Sequence, residues 1–401
     1  MPYVGLGGHL GPQARLGALL SRQGHEVLAW APAANRAQIE LEQVQFFEHE
    51  PLAVNNPFSS LREFSANLAE AADACVEELI EELFDRDIDL VIHDVHVPWG
   101  RIAAEFLGIP RIVSHPLFPG TDPGRPVMNP QSRDWVDEAP VLTRDEVTAA
   151  LEKALARVAA ARRSIARKWG VELGDWNQAM NNVGDASVSY TTAHISGVTD
   201  VPDAWCYAGP LLDPAPTAVR DPGRPLAYVA FGTYYNTQAG VFRLAIWALA
   251  DEPVEVVMST GRSKVSAAEL EPLPANVKVY DYVPSREVLA RATVHVTHAG
   301  CSSVHESLIA GVPMVCLPLG SDQASWAERV SDLGAGEVVE MTPAAVRAAV
   351  RQMLRDGRAA ARARALGDEL RRYDGAARVA ALVERELAGR HRAAPGQRRS
   401  A

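Results

Sequence analysis

A short polar stretch between two apolar runs, VTHAGCSSVHESLIAGVPMVCLP at 296–318, has the composition of an anion-binding turn. The apolar runs suit two buried parallel strands, and the spacing predicts a helix over 304–310 that Gly311 ends and Pro313 prevents from continuing. The turn therefore precedes a helix N-terminus, where the first backbone N–H groups lack partners and the helix dipole is positive. Such a terminus favours phosphate, so we expect a phosphate-binding turn.

Purely structural interpretations of these residues stay open. Ser303 and Glu306 have the spacing of a capping box, in which two side chains satisfy the donors at a helix start without any ligand. Gly300 would then serve only the turn. Asp322, just before a helix predicted from position 324, could in the same way be only an N-cap.

His9 and Asp94 form a second candidate pair. His9 lies in the loop GLGGHLGP at 5–12, between a predicted first strand over 3–6 and a predicted helix over 14–23, and Asp94 ends the apolar strand DLVIHD at 89–94. If both residues lie at the same edge of one sheet, the Asp94 carboxylate would fix the tautomer of the neutral His9 imidazole. It would also stabilise the imidazolium that forms when His9 accepts a proton. Because no G-x-S-x-G motif supplies a serine nucleophile, the pair suggests activation of a substrate hydroxyl. A histidine that only fills the turn is the alternative. The next candidates for the base at this edge are His93, His96 and His115.

Two other motifs in the first half fit their usual ligands poorly. A dinucleotide fingerprint would need glycine where Leu10 stands, and the second strand, EVLAWAP, offers no acid at its end, so we do not expect NAD. The D-x-D form of Asp87 and Asp89 is used elsewhere to hold a metal and a diphosphate. Here it enters the strand at the end opposite Asp94, and we interpret it as a charged turn.

The elements around these residues alternate between strands and helices in both halves of the chain. Strands are predicted at EVLAWA, DLVIHD and RIV in the first half and at LAYVAF, VEVVMS, VKVY, VHVTH and MVCLP in the second, with helices between them. The fold class is therefore α/β, with two doubly wound parallel-sheet domains that face one another across a cleft. The segment 208–225 carries five prolines and is predicted to be a linker. We accordingly place one domain at 1–207, a second domain at 226–378, and a C-terminal helix with a basic tail at 379–401.

An insertion at 120–170 departs from this alternation. It begins as a proline-rich loop and continues as a helix over 146–169. Apolar side chains in such a segment usually belong to the core, but an insertion after the C-terminal end of a strand can also form a substrate wall. The candidates for that wall are Phe118, Met128 and Trp135.

Composition excludes several classes of protein. The net charge of -11 argues against nucleic acid as the main partner, because no basic surface is available for the phosphates. The four cysteines show no C-x-x-C pair, which argues against a zinc cage and a disulfide framework. No apolar run approaches the ~18 residues of a membrane span, and the chain opens without a leader pattern. We expect a cytoplasmic protein without an integral membrane segment.

The spaced motifs, taken together, resemble one family. In order they are FGT at 231–233, DYVPSREVLARA at 281–292, THAGCSSVHES at 297–307, GVPMVCLPLGSDQASWAERV at 311–330 and LGAG at 333–336. This half is similar to the donor-binding domain of nucleotide-sugar glycosyltransferases of the GT-B fold, and most similar to the bacterial macrolide and natural-product enzymes of the UDP-glycosyltransferase family. The first half agrees through GGHLGP, RQGHEVLAWAP and DLVIHDVHVPWGRIAAEFLGIPRI, so the resemblance covers nearly the whole chain.

The resemblance implies a role for each motif residue. Tyr282 would stack on the nucleobase and the backbone of Val283 would bind its edge. Glu306 would bind the ribose, Asp322 and Gln323 would bind the sugar hydroxyls, and His9 with Asp94 would be the base and its orienter. The diphosphate would be held by Thr233, His298, Gly300, Cys301, Ser302 and Ser303.

The implied reaction is an inverting transfer of a sugar from a UDP- or dTDP-sugar to a hydroxyl of a small, largely apolar acceptor. Helix N–H groups and His298 would stabilise the charge on the leaving diphosphate, so we expect no metal ion and no cofactor. Two positions depart from the family: Cys301 stands where a small or polar residue is usual, and Ser285 where glutamine is common. A homodimer is left open. The alternatives are an epimerase or hydrolase on the same fold, or a non-catalytic partner of another transferase.

Overall fold

The computed structural model describes residues 1–3, 7–42, 44–49, 61–119, 144–212, 221, 223–232, 239–261 and 265–392. Three predicted site residues, Thr233, Met128 and Trp135, lie outside these residues, and so does half of the predicted linker. Among the described residues, no helix has both the length and the apolar character needed to cross a bilayer.

The first half contains seven helices and six strands in its described parts. The helices are α1 (Gly7–Arg22), α2 (Arg36–Leu41), α3 (Leu61–Asp85), α4 (Pro98–Leu107), α5 (Arg144–Trp169), α6 (Trp176–Met180) and α7 (Ala193–Ser196). The strands are β1 (Leu28–Ala31), β2 (Gln45–Glu48), β3 (Val91–Asp94), β4 (Arg111–His115), β5 (Ala186–Ser189) and β6 (Trp205–Tyr207).

Parallel pairing sets the edge at which Asp94 lies. Strands β3, β4, β5 and β6 form one parallel sheet in that order, and β1 pairs with β2 in parallel. Asp94 is opposite Ser114 in the register of β3 and β4, so it lies at the C-terminal edge of the sheet, as predicted. The strand predicted over 3–6 is not described beyond Tyr3, whose N–H donates to the carbonyl of Trp30.

The second half contains the remaining seven helices and six strands of the described chain. The helices are α8 (Ala239–Leu249), α9 (Ser285–Arg291), α10 (Cys301–Ala310), α11 (Gln323–Asp332), α12 (Pro343–Arg355), α13 (Gly357–Arg372) and α14 (Gly375–Arg392). The strands are β7 (Leu226–Ala230), β8 (Glu255–Ser259), β9 (Val277–Tyr280), β10 (Val294–Thr297), β11 (Met314–Cys316) and β12 (Gly336–Val338).

The order of the second sheet identifies where a ligand should bind. The sheet runs β12-β11-β10-β7-β8-β9, so its first strand, β7, lies beside its fourth, β10. This is the doubly wound order, and the direction of winding reverses between β7 and β10. The crevice outside the C-terminal ends of those two strands is the usual ligand site. The turn that starts at His298 lies directly after β10.

The last helix returns to the first half. Val379, Leu382 and Val383 of α14 are buried in the same apolar cluster as Leu16 and Leu20 of α1. The hydroxyl of Tyr373, just before α14, donates to the carbonyl of Tyr207 at 2.6 Å. The helix begins at Gly375. The domain limits proposed from the sequence stay predictions.

Two helices begin earlier than the sequence pattern predicts. Helix α1 starts at Gly7, so His9 lies in its first turn and not in a loop before it. Helix α10 starts at Cys301, with Gly300 as N-cap and Gly311 in the left-handed conformation at its end. Polar residues in the first turns hid both starts, because hydrophobic periodicity begins only where a helix meets the core. Helix α3 carries none of the recognised motifs, and the sequence analysis did not predict it.

Candidate active site

Asp94 accepts three hydrogen bonds at the edge of the first sheet. Its Oδ2 lies 2.9 Å from His9 Nδ1 and accepts from Gln13 Nε2 at 3.0 Å, while its Oδ1 accepts from the backbone N–H of His96 at 2.8 Å. The side chain is fully buried. His9 and Gln13 are four residues apart in α1 and therefore reach the same carboxylate from one face of the helix.

The electrostatics of this site favour an ionised Asp94. Burial alone would raise the pKa of Asp94, but the charge and hydrogen bond of His9, together with His96, outweigh burial and lower it. An ionised carboxylate can only accept, so His9 donates from Nδ1 and its Nε2 keeps a lone pair. The pair therefore has the tautomer that a general base requires.

The three other histidines at this edge are held in neutral forms. Burial lowers the pKa of His93 and His96 to about 4, and that of His115 to about 3. The Nδ1 atoms of His93 and His96 donate to the carbonyls of Asp94 and Met180. The ring of His96 also stacks on His9, with 5.0 Å between the centroids. Only His9 contacts the carboxylate through its ring, which ranks it above the other three as the base.

His298 lies in a narrow gap between two glycines at the end of the second sheet. A Cβ atom at Gly232 or Gly300 would collide with His298 Nε2, so both positions need glycine for this packing. The imidazole is buried and its pKa is lowered to about 4 by burial. Among the described residues, nothing forms a hydrogen bond with its Nδ1. A buried ring nitrogen beside the start of α10 fits a ligand that accepts hydrogen bonds there.

The first turn of α10 presents the N–H groups of the predicted phosphate turn. Ala299 is in the left-handed conformation, with φ of 61°, and Gly300 is the N-cap without a side-chain cap bond. Such a φ is uncommon for alanine and directs the chain sharply from β10 into the helix. The N–H groups of Cys301, Ser302 and Ser303 are those that an α-helix leaves without intrahelical partners.

The capping-box interpretation of Ser303 and Glu306 is wrong. With Gly300 as N-cap, Ser303 is already the third helical residue, and its carbonyl accepts from the Ser307 hydroxyl at 2.7 Å. Glu306 instead accepts at Oε2 from the hydroxyl of Ser285, the first residue of α9, at 2.7 Å. Burial raises the pKa of Glu306. The sequence identified Ser285 only as a departure from the glutamine that is common in the family. Its contact with Glu306 joins residues 21 positions apart and has no local sequence signature.

Asp322 joins the two halves of the molecule. It is the N-cap of α11 but makes no side-chain cap bond. Its Oδ2 accepts from the backbone N–H of Phe118 at 2.7 Å and from Trp326 Nε1 at 3.1 Å. Burial raises its pKa. Asp322 therefore occupies the N-cap position, but its carboxylate does not cap the helix. The carboxylate accepts from the backbone of Phe118 and from the indole of Trp326 instead.

Gln323 and Phe118 complete the contacts near Asp322. The side-chain oxygen of Gln323 accepts from the backbone N–H groups of Leu319 and Gly320, at 2.7 and 3.1 Å. A sugar hydroxyl would therefore meet its amide N–H₂ group. The ring of Phe118 packs edge-on against Trp326, with 4.7 Å between the centroids. This candidate for the acceptor wall thus contacts the donor domain directly.

The remaining predicted residues flank these groups. Tyr282 is 56% exposed, and Val283 packs beside the cluster that includes Leu289 and Val312. Cys301 is half-buried, and its Sγ lies 3.7 Å from His305 Nδ1. Asp87 has a φ of 49° in the turn before β3, consistent with the structural interpretation of the D-x-D sequence. No group of three or more possible metal ligands occurs within the part of the chain that is described.

One contact between the two halves involves α10 and could not be predicted from the sequence, because its partners lie 114 positions apart. His305 donates from Nδ1 to the carbonyl of Cys301, one turn earlier, so its Nε2 accepts from the hydroxyl of Thr191 at 2.9 Å. Arg329 of α11 adds bonds to the carbonyls of His194 and Ile195. The loop after β5 is thereby fixed to the two helices of the candidate donor site.

The comparisons with known proteins agree with this geometry. Residues 244–384 match the model of the erythromycin biosynthesis protein CIII-like C-terminal domain. An uncharacterized UDP-glucosyltransferase, YojK, of Bacillus subtilis is 24% identical over 93% of this chain and 93% of its own. The demethyllactenocin mycarosyltransferase of Streptomyces fradiae is 34% identical over 40% of this chain and 36% of the relative. The crystal structure of the glycotransferase of kitacinnamycin superposes with a TM-score of 0.77 at 26% identity, covering 96% of this chain and 97% of that one.

The fold, the site and these relatives define the chain as a glycosyltransferase of the GT-B fold, which confirms the predicted fold class. Within that class it is similar to natural-product glycosyltransferases, macrolide enzymes among them, as the sequence motifs indicated. Its relatives are named glycosyltransferases, and glycosyl transfer is the general activity that they support for the chain.

Proposed function

We propose that the chain transfers a sugar from a UDP- or dTDP-sugar to a hydroxyl of a small, largely apolar acceptor, with inversion at the anomeric carbon and without a metal ion. The observation that carries the proposal is the buried pair of His9 and Asp94, whose Nδ1 to Oδ2 distance is 2.9 Å. Among the described residues no serine or cysteine forms a hydrogen bond with His9, which suits a direct displacement by the acceptor.

The proposed step is a single displacement. His9 Nε2 takes the proton of the acceptor hydroxyl while the acceptor oxygen attacks the anomeric carbon. The bond from that carbon to the diphosphate oxygen breaks, and its electron pair leaves with the nucleotide. Asp94 stabilises the imidazolium that forms. One displacement from the opposite face inverts the anomeric centre.

Stabilisation of the leaving group comes from the donor domain. As the diphosphate departs, the negative charge grows next to the N–H groups of Cys301, Ser302 and Ser303 and next to His298. Donors that are already oriented toward this charge lower the barrier without reorganisation. Their arrangement supports transfer without a metal ion, because a helix N-terminus supplies part of the positive charge that a cation would otherwise provide.

The acceptor class is inferred from the apolar candidates and from relatives. Phe118 contacts Trp326 beside the donor site, and Met128 and Trp135 belong to the same segment of the sequence. Named relatives include an oleandomycin glycosyltransferase of Streptomyces antibioticus. A cytoplasmic location is part of the proposal and is supported by four free cysteines. The partners are the donor and the acceptor, and a homodimer stays a prediction.

The test is nucleotide release in the presence of a panel of UDP- and dTDP-sugars, with and without candidate acceptors. Release that depends on the acceptor supports transfer, and release without an acceptor would indicate a hydrolase. NMR of the product gives the anomeric configuration, and retention would overturn the single displacement. Full activity after treatment with EDTA is expected. Its loss, restored by a divalent cation, would overturn metal independence.

A further inference from the structure

His305 of α10 is hydrogen-bonded to both halves of the molecule. Its Nδ1 donates to the carbonyl of Cys301 at 2.8 Å, and its Nε2 accepts from the hydroxyl of Thr191 at 2.9 Å. A carbonyl can only accept, so the Cys301 bond fixes the tautomer in which Nε2 has the lone pair that Thr191 needs. Both His305 and Thr191 are fully buried, and the His305 ring packs edge-on against Trp326 with 5.2 Å between the centroids.

Thr191 is held firmly at the edge of the first sheet that carries Asp94. It follows β5 by two residues, and β4 joins β5 to β3, the strand that Asp94 ends. The carbonyl of Thr191 accepts from the N–H of Gly209 at 3.0 Å. The next residue, Thr192, caps α7 by accepting from the N–H of Ile195. The sheet and this loop therefore tie the position of Thr191 to that of the Asp94 carboxylate.

The other side of the His305 ring is fixed to the candidate diphosphate turn. Cys301 is the first residue of α10, and His305 lies one helical turn later, so the bond from Nδ1 holds the ring against that first turn. A shift of the first turn relative to Thr191 would therefore break one of the two bonds of the ring. The contacts of Asp322 and Arg329 with the first half attach α11, whereas the His305 bond attaches α10.

We propose that His305 is a positioning residue for glycosyl transfer, which sets the separation between the diphosphate turn of α10 and the edge of the first sheet that carries His9. This inference rests on the proposed function. The displacement requires the anomeric carbon, held by the second half, to lie on the line of attack of an acceptor oxygen that is activated in the first half. His305 acts on this alignment through Thr191 and Cys301. An error of about 1 Å in such an alignment can cost about 10²-fold in rate.

The bond between Thr191 and His305 has no ready substitute. Loss of the Thr191 hydroxyl would leave His305 Nε2 without its donor, and a buried polar atom without a partner is unfavourable. Uptake of a proton near pH 7 does not compensate, because burial lowers the pKa of His305 to about 4. The first turn of α10 and the loop after β5 would then move apart or admit water, and either change alters their separation.

The experiment compares Thr191→Val, which keeps the shape of the side chain but removes the hydroxyl, with Thr191→Ser, which keeps the hydroxyl. Acceptor-dependent transfer is measured with the donor and acceptor that the panel of UDP- and dTDP-sugars identifies, both at saturation. Thr191→Val should lower kcat about 10- to 10²-fold, and Thr191→Ser should retain most of the wild-type rate. Calorimetric affinities for UDP and dTDP should be unchanged in both variants, because the proposed donor groups belong to the second half.

Two changes at His305 separate its two bonds. His305→Gln provides a side-chain oxygen that can accept from Thr191, whereas the shorter amide of His305→Asn can donate to the Cys301 carbonyl but does not extend to Thr191. His305→Gln should therefore keep a higher kcat than His305→Asn. In a His9→Ala background, Thr191→Val should cause little further loss, because the alignment serves the base that has been removed. A purely structural role would lower the rate by the same factor with and without His9.

His194→Asn is the matched control. His194 also forms a bond between the halves, but to Glu369 of α13 at 2.8 Å and at an exposed site. Its kcat should equal that of the wild type. Equal rates for Thr191→Val and the wild type would overturn the inference, and so would an equal loss in His194→Asn. A wild type without acceptor-dependent transfer would overturn the proposed function itself, so the two failures are distinguishable. Melting curves establish that each variant is folded at the assay temperature.

Discussion

Asp94 shows how much one carboxylate can organise. It fixes His9 through Oδ2 and the turn at His96 through Oδ1, and Gln13 adds a third donor. The neighbouring histidines have lowered pKa values and donate to backbone carbonyls, so only His9 combines a carboxylate partner with a lone pair at Nε2. At the scale of single residues, the candidate catalytic function rests on this one contact.

The first prediction concerns His9 and Asp94 together. His9→Ala should lower the acceptor-dependent rate at saturating donor by about 10²- to 10⁴-fold, because general-base catalysis is lost. Asp94→Asn should also slow transfer, since an amide keeps part of the geometry but not the charge. The double variant should be little slower than His9→Ala, because both changes disable one unit.

Nucleotide binding is the internal control for this series, since the proposed donor site lies in the other half of the chain and nucleotide affinity should be unaffected. Fully additive losses would show that the two residues act separately. Normal transfer by His9→Ala would place the base elsewhere.

A carboxylate within α10 and the carboxylate at the N-cap of α11 are bonded to groups other than the backbone N–H groups of their own helix starts. In α10, Glu306 is bonded to α9, and in α11, Asp322 is bonded to Phe118 and Trp326. Neither carboxylate caps its own helix. The backbone N–H groups at these two helix starts therefore remain the natural partners of an anionic or hydroxylated ligand.

The second prediction separates structure from binding in α10. Glu306→Gln keeps an oxygen that can accept from Ser285 but removes the negative charge. The melting temperature should change little, while nucleotide affinity falls about tenfold or more, because a bond to a charged group is worth roughly 1.5–3 kcal/mol. Calorimetry gives both quantities. Glu328→Gln, an exposed change in α11, is the control, and unchanged affinity of Glu306→Gln would return Glu306 to a structural role.

The third prediction concerns the start of α11. Asp322→Ser should bind free nucleotide diphosphate normally but turn over the donor poorly, because serine cannot replace the bonds from the Asp322 carboxylate to the sugar hydroxyls that the proposed function requires. It should also melt a few degrees lower, since the Phe118 N–H and the Trp326 indole lose their acceptor. Steady-state kinetics and melting curves test both effects. Asp332→Ser, at the exposed end of the same helix, should change neither, and normal turnover by Asp322→Ser would remove Asp322 from the site.

Contacts between its two halves hold the molecule together. Helix α14 packs on the first domain, and Thr191, Phe118 and the carbonyl of Ile195 are bonded to the second.

Six described histidines have pKa values lowered to between about 3 and about 4 by burial. They are His93, His96, His115, His295, His298 and His305.

The fourth prediction follows from these pKa values. Between the unfolded pKa, about 6.5, and the folded values, the unfolded chain binds more protons than the folded one, so the free energy of unfolding falls as the pH falls. The raised pKa values of Glu306 and Asp322 act in the opposite direction, but they are two groups against six. The melting temperature should therefore drop steeply from pH 6.5 to pH 4.

Melting curves at several pH values test this linkage. His305→Gln should flatten the dependence, because it removes one proton that only the unfolded chain binds. A melting temperature that is equal at pH 7 and pH 5 would contradict the prediction.

Much of the fold was predictable because its signals are local. Alternating apolar runs located β7 to β11, and helix α4, which begins at Pro98 and ends before Gly108, is one of the helices predicted between the strands. The helix starts at Gly7 and Cys301 were misplaced, because a first turn of glycine and polar residues shows no hydrophobic period. Helix α3 was missed, although it contributes Phe64, Leu68, Val76 and Leu79 to the core.

By itself, the sequence determined the α/β class, the edges of the sheets at which the polar residues lie, and the order of the motifs, because each depends on neighbours within one or two turns of chain. Only the tertiary structure decided which of these residues meet. His9 reaches Asp94 across 85 positions, Thr191 reaches His305 across 114, and Phe118 reaches Asp322 across 204. Such contacts are set by the packing of whole elements, and no spacing along the chain encodes them. For the same reason, only the structure placed the Ser285 hydroxyl on Glu306.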